Sequence, residues 1–546
     1  MAISKIKIWN FKRLRQFETE FNPGMNILVG DNESGKSTIL EAVHLALTGV
    51  YCGRGIRNEI SPYLINASAI EEYLSSLNGE CPLAPPEMKI EIYFNGSIDP
   101  NFEGDQNSEK QDKIEGFSFS IGFAKQYQEE YEKLIEQKDI HSLPTEYYVA
   151  SWCSFARDQS ITTRTIPVKS FFIDSSNYRY QNGSDVYISR IVKDLLEPDD
   201  VIAISQAHRR MIESFAQDQA ITNINKKISE ESTIVEGDVS LSADQGNKNA
   251  WENSLVTQIA GIPFSHIGKG AQCIIKTELA LSHKRANDAK IILIEEPESH
   301  LSFSRLNELT SAIANKCGEK QIIISTHSSF VANKLGLSNL ILLRNGKTTR
   351  MSDLPSADFF KKMPGYDTLR LVLCRKAILV EGASDELVIQ RAYMDTHNRK
   401  LPIEDGVDVI SVGLTFLRFL EIAECLNVPT CVVTDNDGKV DALMKKYKNY
   451  LGENKKPTID ICFDEIVDGA DAADGDKYNY NTLEPKLLKE NSLDLFNEIF
   501  GTTYATEEQL RKYMKDSKTE CALAIFNSCK SIKYPEYLLK AIRDEQ

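Results

Sequence analysis

Two groups of residues in this chain have the types and spacing needed for chemistry on phosphate. The first, Gly30-Asp-Asn-Glu-Ser-Gly35-Lys36-Ser37, matches the pattern GxxxxGK[ST]. Its glycines let backbone N–H groups surround phosphate oxygens at a helix N-terminus, while Lys36 neutralises the β and γ oxygens and Ser37 coordinates Mg²⁺. The second group is a set of carboxylates that begins at Glu381. A nucleotide site followed by metal-binding carboxylates indicates a switch that controls cutting.

Residues from the middle of the chain complete the nucleotide site. The apolar run 291–294 predicts a buried strand that delivers Glu295 and Glu296 to its C-terminal end. We predict that Glu295 holds Mg²⁺ through water and that Glu296 polarises the attacking water. The next strand, 321–325, is followed by His327, which predicts an imidazole next to the γ-phosphate. A purely structural histidine is the alternative. The predicted nucleotide-binding residues of this part are Asn32, Gly35, Lys36, Ser37, Thr38 and Glu295.

The later carboxylates follow two further apolar runs. Glu381 and Asp385 come directly after the run 376–380, and Asp435 and Asp437 follow the run 431–433. Carboxylates at i and i+2 beyond a strand project from its tip. With an acid on the neighbouring tip they form an oxygen-rich pocket that suits Mg²⁺ or Mn²⁺. An ordinary turn at Asp437-Gly438 is the alternative interpretation.

The elements that position these residues predict two α/β domains, over 1–365 and 366–546. A strand at 25–29, the glycine turn and a helix from Lys36 to Leu47 follow in order, and alternating segments at 88–94 and 117–123 add an antiparallel sheet. The region 180–250 is predicted as a helical insertion that mediates dimerisation. A polar stretch with Pro355 and Pro364 precedes the second domain.

Composition limits the possible functions. The chain has 546 residues and a formal net charge of -16, so contact with nucleic acid needs a local basic surface or metal ions. Eleven cysteines without a CxxC pair indicate reduced thiols. No signal peptide or long apolar run is found, so we expect a cytoplasmic protein without a membrane segment. The candidate basic surfaces are Lys445-Lys446-Tyr447-Lys448 with interleaved tyrosines, Lys455-Lys456, Arg54 with Arg57, and His208-Arg209-Arg210.

The nucleotide-site motifs, together with Asn10-Phe11 and the run from Glu295 to Leu301, resemble the ABC-type ATPases of the SMC/RecF class. In that class two heads enclose the ATP, and each head supplies a signature segment to the other. The resemblance implies that Gly268 and Gly270, in the segment 265–272, contact the nucleotide of a partner copy. Lys269 interrupts the usual glycine pair, and a plain glycine turn is the alternative. The resemblance thus implies a homodimer or tetramer.

The carboxylate pattern resembles a Toprim domain, and the whole chain resembles the OLD (overcoming lysogenization defect) family of fused ATPase–Toprim nucleases. By that resemblance Glu381 and Asp385 serve one metal, while Asp435 and Asp437 serve a second or bridge the two. The family's pattern also implies Glu484 as a metal ligand and Lys518 as a cation that stabilises the transition state. A helix cap and a solvated lysine are the alternatives for these two residues.

The resemblance implies an ATP-regulated, divalent-metal-dependent DNA endonuclease or nickase in phage defence or phage exclusion, working with an encoded partner such as a helicase. A nucleotide-operated DNA clamp or signalling scaffold in repair, without nuclease activity, is the alternative. A topoisomerase with Tyr478 or Tyr480 as nucleophile ranks lower because the second domain has little room for an additional module.

Overall fold

The fold is described from a computed structural model. It describes residues 2–30, 33–77, 79, 82–96, 99–136, 140–156, 160–174, 180–181, 184–185, 196–231, 241, 251, 256–282, 289–299, 301–316, 320–328, 331–332, 335–344, 346–353, 366–469 and 478–543. The chain forms two compact units. The first contains residues 1–28 and 35–326, and the second contains residues 29–34 and 327–546.

The first unit contains an antiparallel sheet with the order β2-β1-β6-β8-β7, and β9 also pairs with β8. Alternating apolar residues on β1, β6 and β8, among them Ile6, Ile90 and Phe119, are fully buried and supply one face of its core. The two segments predicted at 88–94 and 117–123 are thereby confirmed as paired antiparallel strands. Its strands are β1 (Ala2–Phe11), β2 (Leu14–Glu20), β6 (Met88–Asn95), β7 (Glu103–Gly104), β8 (Ile114–Phe123) and β9 (Tyr148–Ser154).

A second sheet carries the nucleotide motifs and has the order β10-β15-β16-β3. Its strands are β3 (Met25–Gly30), β10 (Ser170–Asp174), β15 (Ile291–Glu295) and β16 (Gln321–Thr326). β10, β15 and β16 are parallel, and the apolar residues of β15 and β16 are buried. Helix α1 (Lys36–Thr48) packs on these three strands. After β3, the strand order of this sheet continues with β17 (Leu340–Arg344) and β18 (Lys347–Arg350). The last two residues of β3, Val29 and Gly30, are assigned to the second unit together with β17 and β18.

The predicted insertion contains two helices among its described residues. The 19-residue helix α4 begins at Pro198, after a reciprocal cap between Glu197 and Asp200, and α5 follows after a short turn. Residues 182–183, 186–195, 232–240 and 242–250 of the predicted insertion lie outside the described part. The other helices of the unit are α2 (Ala67–Ser76), α3 (Gln128–Glu136), α4 (Pro198–Ala216), α5 (Gln219–Glu231), α6 (Lys269–Ser282) and α7 (Phe303–Lys316). Short pairs complete it: β4 (Val50–Tyr51) with β5 (Arg54–Gly55), β11 (Tyr180–Gln181) with β12 (Ser184–Asp185), and β13 (Gln258–Ile259) with β14 (Ile262–Pro263).

The second unit is built on a four-stranded parallel sheet with the order β20-β19-β21-β22. The strands are β19 (Lys376–Val380), β20 (Val407–Ser411), β21 (Thr430–Val433) and β22 (Ile459–Cys462). A core of apolar side chains from these strands and the C-terminal helices holds the unit together. The helices are α8 (Tyr366–Leu373), α9 (Ala383–Thr396), α10 (Phe416–Leu426), α11 (Val440–Lys446), α12 (Leu483–Glu490), α13 (Leu493–Phe500), α14 (Glu507–Asp516), α15 (Lys518–Asn527) and α16 (Glu536–Ile542).

Three sequence-based expectations concern this architecture. The boundary predicted near residue 365 falls on residues 354–365, which lie outside the described part, so it stays a prediction. The described cysteines are all free, and Cys431 and Cys462 are buried with their Sγ atoms 3.3 Å apart. No helix among the described residues is long and apolar enough to cross a membrane.

Candidate functional site

The loop before α1 has the backbone needed to surround a phosphate. Gly35 has φ +101°, a left-handed conformation that favours glycine, and α1 begins at the next residue. Gly30 leaves no room for a side chain, because an added Cβ would lie 2.5 Å from the Leu343 carbonyl oxygen. Lys36 and Thr38 are buried on the first turn of α1. Asn32 lies outside the described residues, so its assignment stays a prediction.

Ser37 and Glu295, the two predicted Mg²⁺ ligands, are brought together. Burial raises the pKa of Glu295 to about 7, although a hydrogen bond with the Ser37 side chain opposes this effect. The nearby carboxylates of Asp174, Glu41 and Glu296 raise it further. Asp174 lies beside Glu295 because the two residues end adjacent parallel strands. A cation fits this position, because it would relieve the repulsion among these carboxylates.

Glu296 and His327 follow the tips of neighbouring strands. Glu296 has a positive φ of 40°, and its backbone N–H donates to the Ser325 carbonyl at 3.0 Å. Non-glycine residues rarely adopt this conformation, and those that do are often found at functional sites. His327 follows β16 directly and is exposed. Gly268 and Gly270 lie at the exposed start of α6, where the buried Gln272 side chain donates to the carbonyls of Phe264 and Ile267.

The predicted carboxylate pairs follow adjacent strands of the second sheet. β19 leads to Glu381 and α9, and β21 leads to Asp435 and Asp437, and these strands are direct neighbours. Because the carboxyl ends of parallel strands meet at one edge, Glu381, Asp385 and Asp435 line a common cavity. Glu381 and Asp437 are exposed, whereas Asp385 and Asp435 are half-buried. The predicted arrangement of strand tips is therefore observed.

Burial, and after it electrostatic repulsion between carboxylates, acts on the acids of this cavity. Burial raises the pKa of Asp435 well above its usual range, and the nearby carboxylates of Asp385 and Glu484 raise it further. Burial likewise raises the pKa of Asp385 to about 6, with Glu484 and Glu381 adding to the effect. Ionising both aspartates in this cavity is therefore unfavourable unless a cation is present.

Glu484 and Lys518 join the cluster as an ion pair. Glu484 is buried in the first turn of α12, and its Oε1 lies 3.1 Å from the Nζ of Lys518 at the start of α15. Burial alone would lower the pKa of Lys518, but Glu484, and after it Asp435 and Asp385, raise it above the usual value. These two residues thus lie at the same site as the strand-tip acids.

Several hydrogen bonds fix the aspartates. The Leu483 N–H donates to Asp435 Oδ2 at 3.2 Å, and the Asn479 amide donates to Asp437 Oδ1 at 2.7 Å. Asn436 is buried between the two aspartates, and its amide donates to the carbonyls of Asp464 and Ile466. Lys486, which is also buried, donates to the Ile466 carbonyl and pairs with Asp464 and Asp468. The aspartate turn is therefore anchored to the loop 464–468.

Sequence reasoning missed two residues that matter here. Tyr537 on α16 lines the cavity beside Asp385 and Asp435. Arg391 on α9 is fully buried and donates to the carbonyls of Ile525, Phe526, Ser528 and Lys530 at the end of α15. It therefore links the helix that carries Asp385 to the helix that begins at Lys518. No local sequence pattern predicts either role, because both depend on how helices distant in the sequence pack.

The candidate basic surface after Asp437 is partly as predicted. Lys445, Lys446 and Lys448 are exposed, but Tyr447 is fully buried and cannot stack on a nucleobase. The interleaved-tyrosine interpretation is wrong at this position, because the tyrosine packs inward from the end of α11.

Two tyrosines considered as nucleophiles, Tyr478 and Tyr480, form an edge-to-face pair and lie against Lys515 and Arg511, respectively.

The donor set fits a hard divalent cation, because it consists of crowded carboxylate oxygens with raised pKa values and a single paired lysine close by. The described residues nevertheless hold no three carboxylate, imidazole or thiolate groups close enough to bind a metal as they stand. A cation at this edge of the sheet would therefore have to draw the side chains together.

Comparisons with known proteins identify both units. The family model of the AAA domain matches residues 5–337, which is more than half of the chain. A model described as "Overcoming lysogenization defect protein-like, TOPRIM domain" matches residues 372–437, the part that contains Glu381, Asp385, Asp435 and Asp437. The predicted fold class, a P-loop ATPase followed by a Toprim α/β domain, is confirmed.

Similar individual proteins match over shorter stretches. The DNA replication and repair protein RecF of Vibrio cholerae is 32% identical over 88 residues, which is 15% of this chain and 24% of the relative. RecF of Lactococcus lactis is 32% identical over 99 residues, 18% of this chain and 26% of the relative. The chain thus spans about a quarter of these relatives' length.

Solved SMC head domains match more distantly. The head bound to the C-winged helix domain of ScpA has 15% identity and a TM-score of 0.33, and covers 64% of this chain and 97% of its own. The head from Thermotoga maritima has 14% identity and a TM-score of 0.30, and covers 64% and 98%. Likeness at this level supports no conclusion about this chain. The two family matches do, and they show that the chain belongs to the AAA-domain ATPase family and joins that domain to an OLD-like TOPRIM domain.

Proposed function

We propose that this protein is an ATP-regulated, divalent-metal-dependent DNA endonuclease or nickase that acts in phage defence or exclusion. The observation that carries the proposal is the cavity at the edge of the Toprim sheet, where Glu381, Asp385 and Asp435 meet. The ion pair between Glu484 and Lys518 borders these acids. The family match to an OLD-like TOPRIM domain supports the same reading.

The carboxylates would hold the metal ions. Glu381 and Asp385 would bind one, and Asp435 with Asp437 would bind a second or bridge both, with Glu484 as a further ligand. Bound divalent ions supply an activated water and stabilise the leaving oxygen in phosphodiester hydrolysis. Because the pKa of Asp435 is raised, a metal ion can bind its carboxylate only if the proton leaves.

The chain's own residues supply positioning and charge. Asn479 and the Leu483 N–H fix the orientation of Asp437 and Asp435. Lys518 places a positive charge at the cluster, suited to offset charge that develops on the phosphate. The exposed Lys445, Lys446 and Lys448, which follow the aspartate turn, provide contacts for a phosphate backbone despite the net charge of -16.

The first unit would control the carboxylate site by binding and hydrolysing ATP. Ser37 and Glu295 would share Mg²⁺, Lys36 would neutralise the β and γ oxygens, and Glu296 would polarise the attacking water, with His327 beside the γ-phosphate. Gly268 and Gly270 lie at an exposed helix start, which suits their presentation to a second copy. A homodimer or tetramer with ATP at its head-to-head contact follows from this proposal, and an encoded partner such as a helicase would complete the defence system.

Cleavage of supercoiled plasmid with Mg²⁺ or Mn²⁺ tests the proposal. We expect nicked or linear product from the wild type and a loss of more than roughly 100-fold in Asp435→Ala, because even outer-shell groups of metal sites are worth 10–100-fold. Asp494→Ala removes an exposed acid in the first turn of α13 and serves as the matched control. An intact wild type that leaves plasmid uncut, or an Asp435→Ala variant that cuts normally, contradicts the nuclease assignment and leaves the DNA clamp as the better reading.

A further inference from the structure

Exposed aliphatic side chains lie on both sides of the carboxylate cavity, at the same edge of the Toprim sheet. Leu414 follows β20, while Ile466 and Val467 follow β22, and these are the two outer strands of that sheet. The three residues are 77%, 61% and 44% exposed, respectively. Because all four strands are parallel, these residues share one edge with the acids that follow β19 and β21. Apolar side chains therefore flank the acids.

The backbone holds Leu414 beside the segment of a predicted metal ligand. The N–H of Gly413 donates to the Glu381 carbonyl oxygen at 3.1 Å. The N–H of Thr415 donates to the Val412 carbonyl oxygen at 3.2 Å and closes a turn around Leu414. Gly413 has φ +58°, which allows the chain to turn sharply at this point. The exposed leucine thus projects from a turn that is fixed to the site.

Hydrogen bonds also fix the backbone of Ile466. Its carbonyl oxygen accepts from the Asn436 amide at 3.0 Å and from the Lys486 ammonium at 2.8 Å, and both donors are buried. Next to it, a methyl carbon of Val467 lies 3.9 Å from the position that a Cβ on Gly438 would take, so this residue packs against the aspartate turn. The loop therefore presents the Ile466 side chain to solvent from a backbone anchored at the acids.

Positive charge borders the same surface. The Nζ of Lys446 lies 5.3 Å from the centroid of the Phe416 ring, two residues beyond Leu414, and Lys445 and Lys448 are exposed nearby in the chain. A single exposed leucine needs no explanation, but rigid aliphatic groups on both sides of a site, with lysines beside them, indicate a ligand with both charged and apolar parts. DNA has this chemistry, because its phosphates bind lysine and its bases have apolar faces.

The spacing of the strands limits how DNA can use these groups. Neighbouring strands lie about 4.8 Å apart, so the tips of β20 and β22 are about 14 Å apart. That distance corresponds to roughly four nucleotide steps of about 3.4 Å along one DNA strand. In a stacked duplex the base faces are covered, and leucine or isoleucine reaches them only where a base step is opened. The surface therefore suits DNA with opened steps close to the cleaved phosphate.

We propose that Leu414 and Ile466 contact base faces on either side of the cleaved phosphate, and that the preferred substrate is DNA with locally unstacked or unpaired bases. The inference rests on the proposed nuclease function. Opening a base step costs free energy in paired DNA and less where bases are already unpaired. The two aliphatic side chains offset part of that cost by covering the opened bases.

The test compares Leu414→Ala, Ile466→Ala and the control Ile403→Ala with the wild type in the full chain. Ile403 is 62% exposed and precedes β20, so it lies at the opposite edge of the same sheet. Each protein receives Mn²⁺ and linear DNA that is either fully paired or carries a short run of unpaired bases at its centre. A base analogue whose fluorescence rises on unstacking reports binding with Ca²⁺ in place of Mn²⁺, and Tm and molecular mass report folding and oligomeric state.

We expect the wild type to cut the DNA with unpaired bases faster than the fully paired DNA. Leu414→Ala and Ile466→Ala should each cut fully paired DNA about 10-fold more slowly, because they lose apolar contacts that offset unstacking. On DNA with unpaired bases the loss should fall to about 2-fold, since the bases are already open. Ile403→Ala should match the wild type on both substrates.

Three results would overturn the inference. The first is an equal loss on both substrates, and the second is wild-type cleavage of fully paired DNA by both variants at the site. The third is a changed molecular mass in these variants, which would assign the aliphatic side chains to a contact between copies of this chain.

The fluorescence measurement separates this inference from the proposed function, because it needs no cleavage. A wild type that cuts neither DNA contradicts the nuclease assignment. In that case, a fluorescence rise that Leu414→Ala and Ile466→Ala reduce still supports the base contacts, and a rise that they leave unchanged refutes them.

Discussion

Replacing Asp385 by asparagine should stabilise the metal-free protein at alkaline pH. Burial and the neighbouring Glu484 and Glu381 raise the pKa of Asp385 from 3.8 to about 6. A pKa shift of one unit corresponds to about 1.4 kcal/mol, so ionised Asp385 destabilises the folded state by at most about 3 kcal/mol. Asparagine removes that charge, and its carboxamide oxygen can still accept the N–H of Gly382, which donates to Asp385 Oδ2 at 2.9 Å.

The sign of the pH dependence follows from the raised pKa. The folded chain binds the Asp385 proton more tightly than the unfolded chain does, so this group's stabilising contribution is complete below about pH 4 and is lost as the pH rises through about 6. Asp385→Asn and wild type should therefore unfold alike near pH 4 and differ most at pH 8. For a unit of roughly 200 residues, 3 kcal/mol corresponds to a difference of about 6–12 °C in Tm.

Thermal unfolding in EDTA between pH 4 and pH 8 measures this difference. Asp494→Asn, an exposed acid on α13, is the control and should show no comparable change with pH. Saturating Mn²⁺ should reverse the order at pH 8, because the wild type gains a ligand that the variant lacks. A variant less stable than the wild type at pH 8 in EDTA, or an equal difference at pH 4 and pH 8, would refute the reasoning about charge repulsion.

Three further predictions concern the nucleotide site, the helix link and the ion pair. Lys36→Ala should lose nucleotide binding, and Glu296→Gln should bind ATP but hydrolyse it at least about 100-fold more slowly. Both variants should alter DNA cleavage. ATP binding and phosphate release measure these effects, and normal ATP turnover in either variant would contradict the assignment of the nucleotide site. Arg391→Met should lower the free energy of unfolding by about 3–5 kcal/mol in urea titrations, because Asp395 loses its ion-pair partner and the carbonyls at the end of α15 lose their donor. A loss below about 1 kcal/mol would contradict that role. Lys518→Ala leaves the buried Glu484 without its ion-pair partner and should reduce cleavage by about 10–100-fold at unchanged ATP hydrolysis, whereas Lys518→Arg should retain part of the activity.

The parts of the site that sequence could predict depend on local spacing. The glycine loop and α1 were predictable because one continuous motif sets the turn and the start of the helix at Lys36. The meeting of Glu381 and Asp435 was predictable because alternating strands and helices imply a parallel sheet whose carboxyl ends share an edge. The Glu484–Lys518 pair needed the family resemblance as well, since the two residues begin different helices and meet only in the folded unit.

The remaining features depend on packing that a single sequence does not reveal. Tyr537 reaches the cavity from a helix about a hundred residues beyond Asp435, and no periodic pattern distinguishes it from Tyr534. The burial of Tyr447 was not predicted, because neighbouring lysines make the segment appear wholly solvated, although the tyrosine that directly follows α11 packs inward. From the sequence alone, Arg391 would be expected at the surface, because arginine is usually exposed. Only the fold shows that carbonyl groups at the end of α15 accept its hydrogen bonds.

The crowding of acids around Glu295 has a consequence for the energetics of ligand binding. Since its pKa is about 7, a large fraction of molecules carry a proton on this carboxyl at neutral pH before nucleotide arrives. Recruiting the carboxylate to Mg²⁺–ATP must expel that proton into the buffer. The heat measured by calorimetry should then vary with the buffer's own enthalpy of ionisation, and the slope of that variation reports the number of protons released.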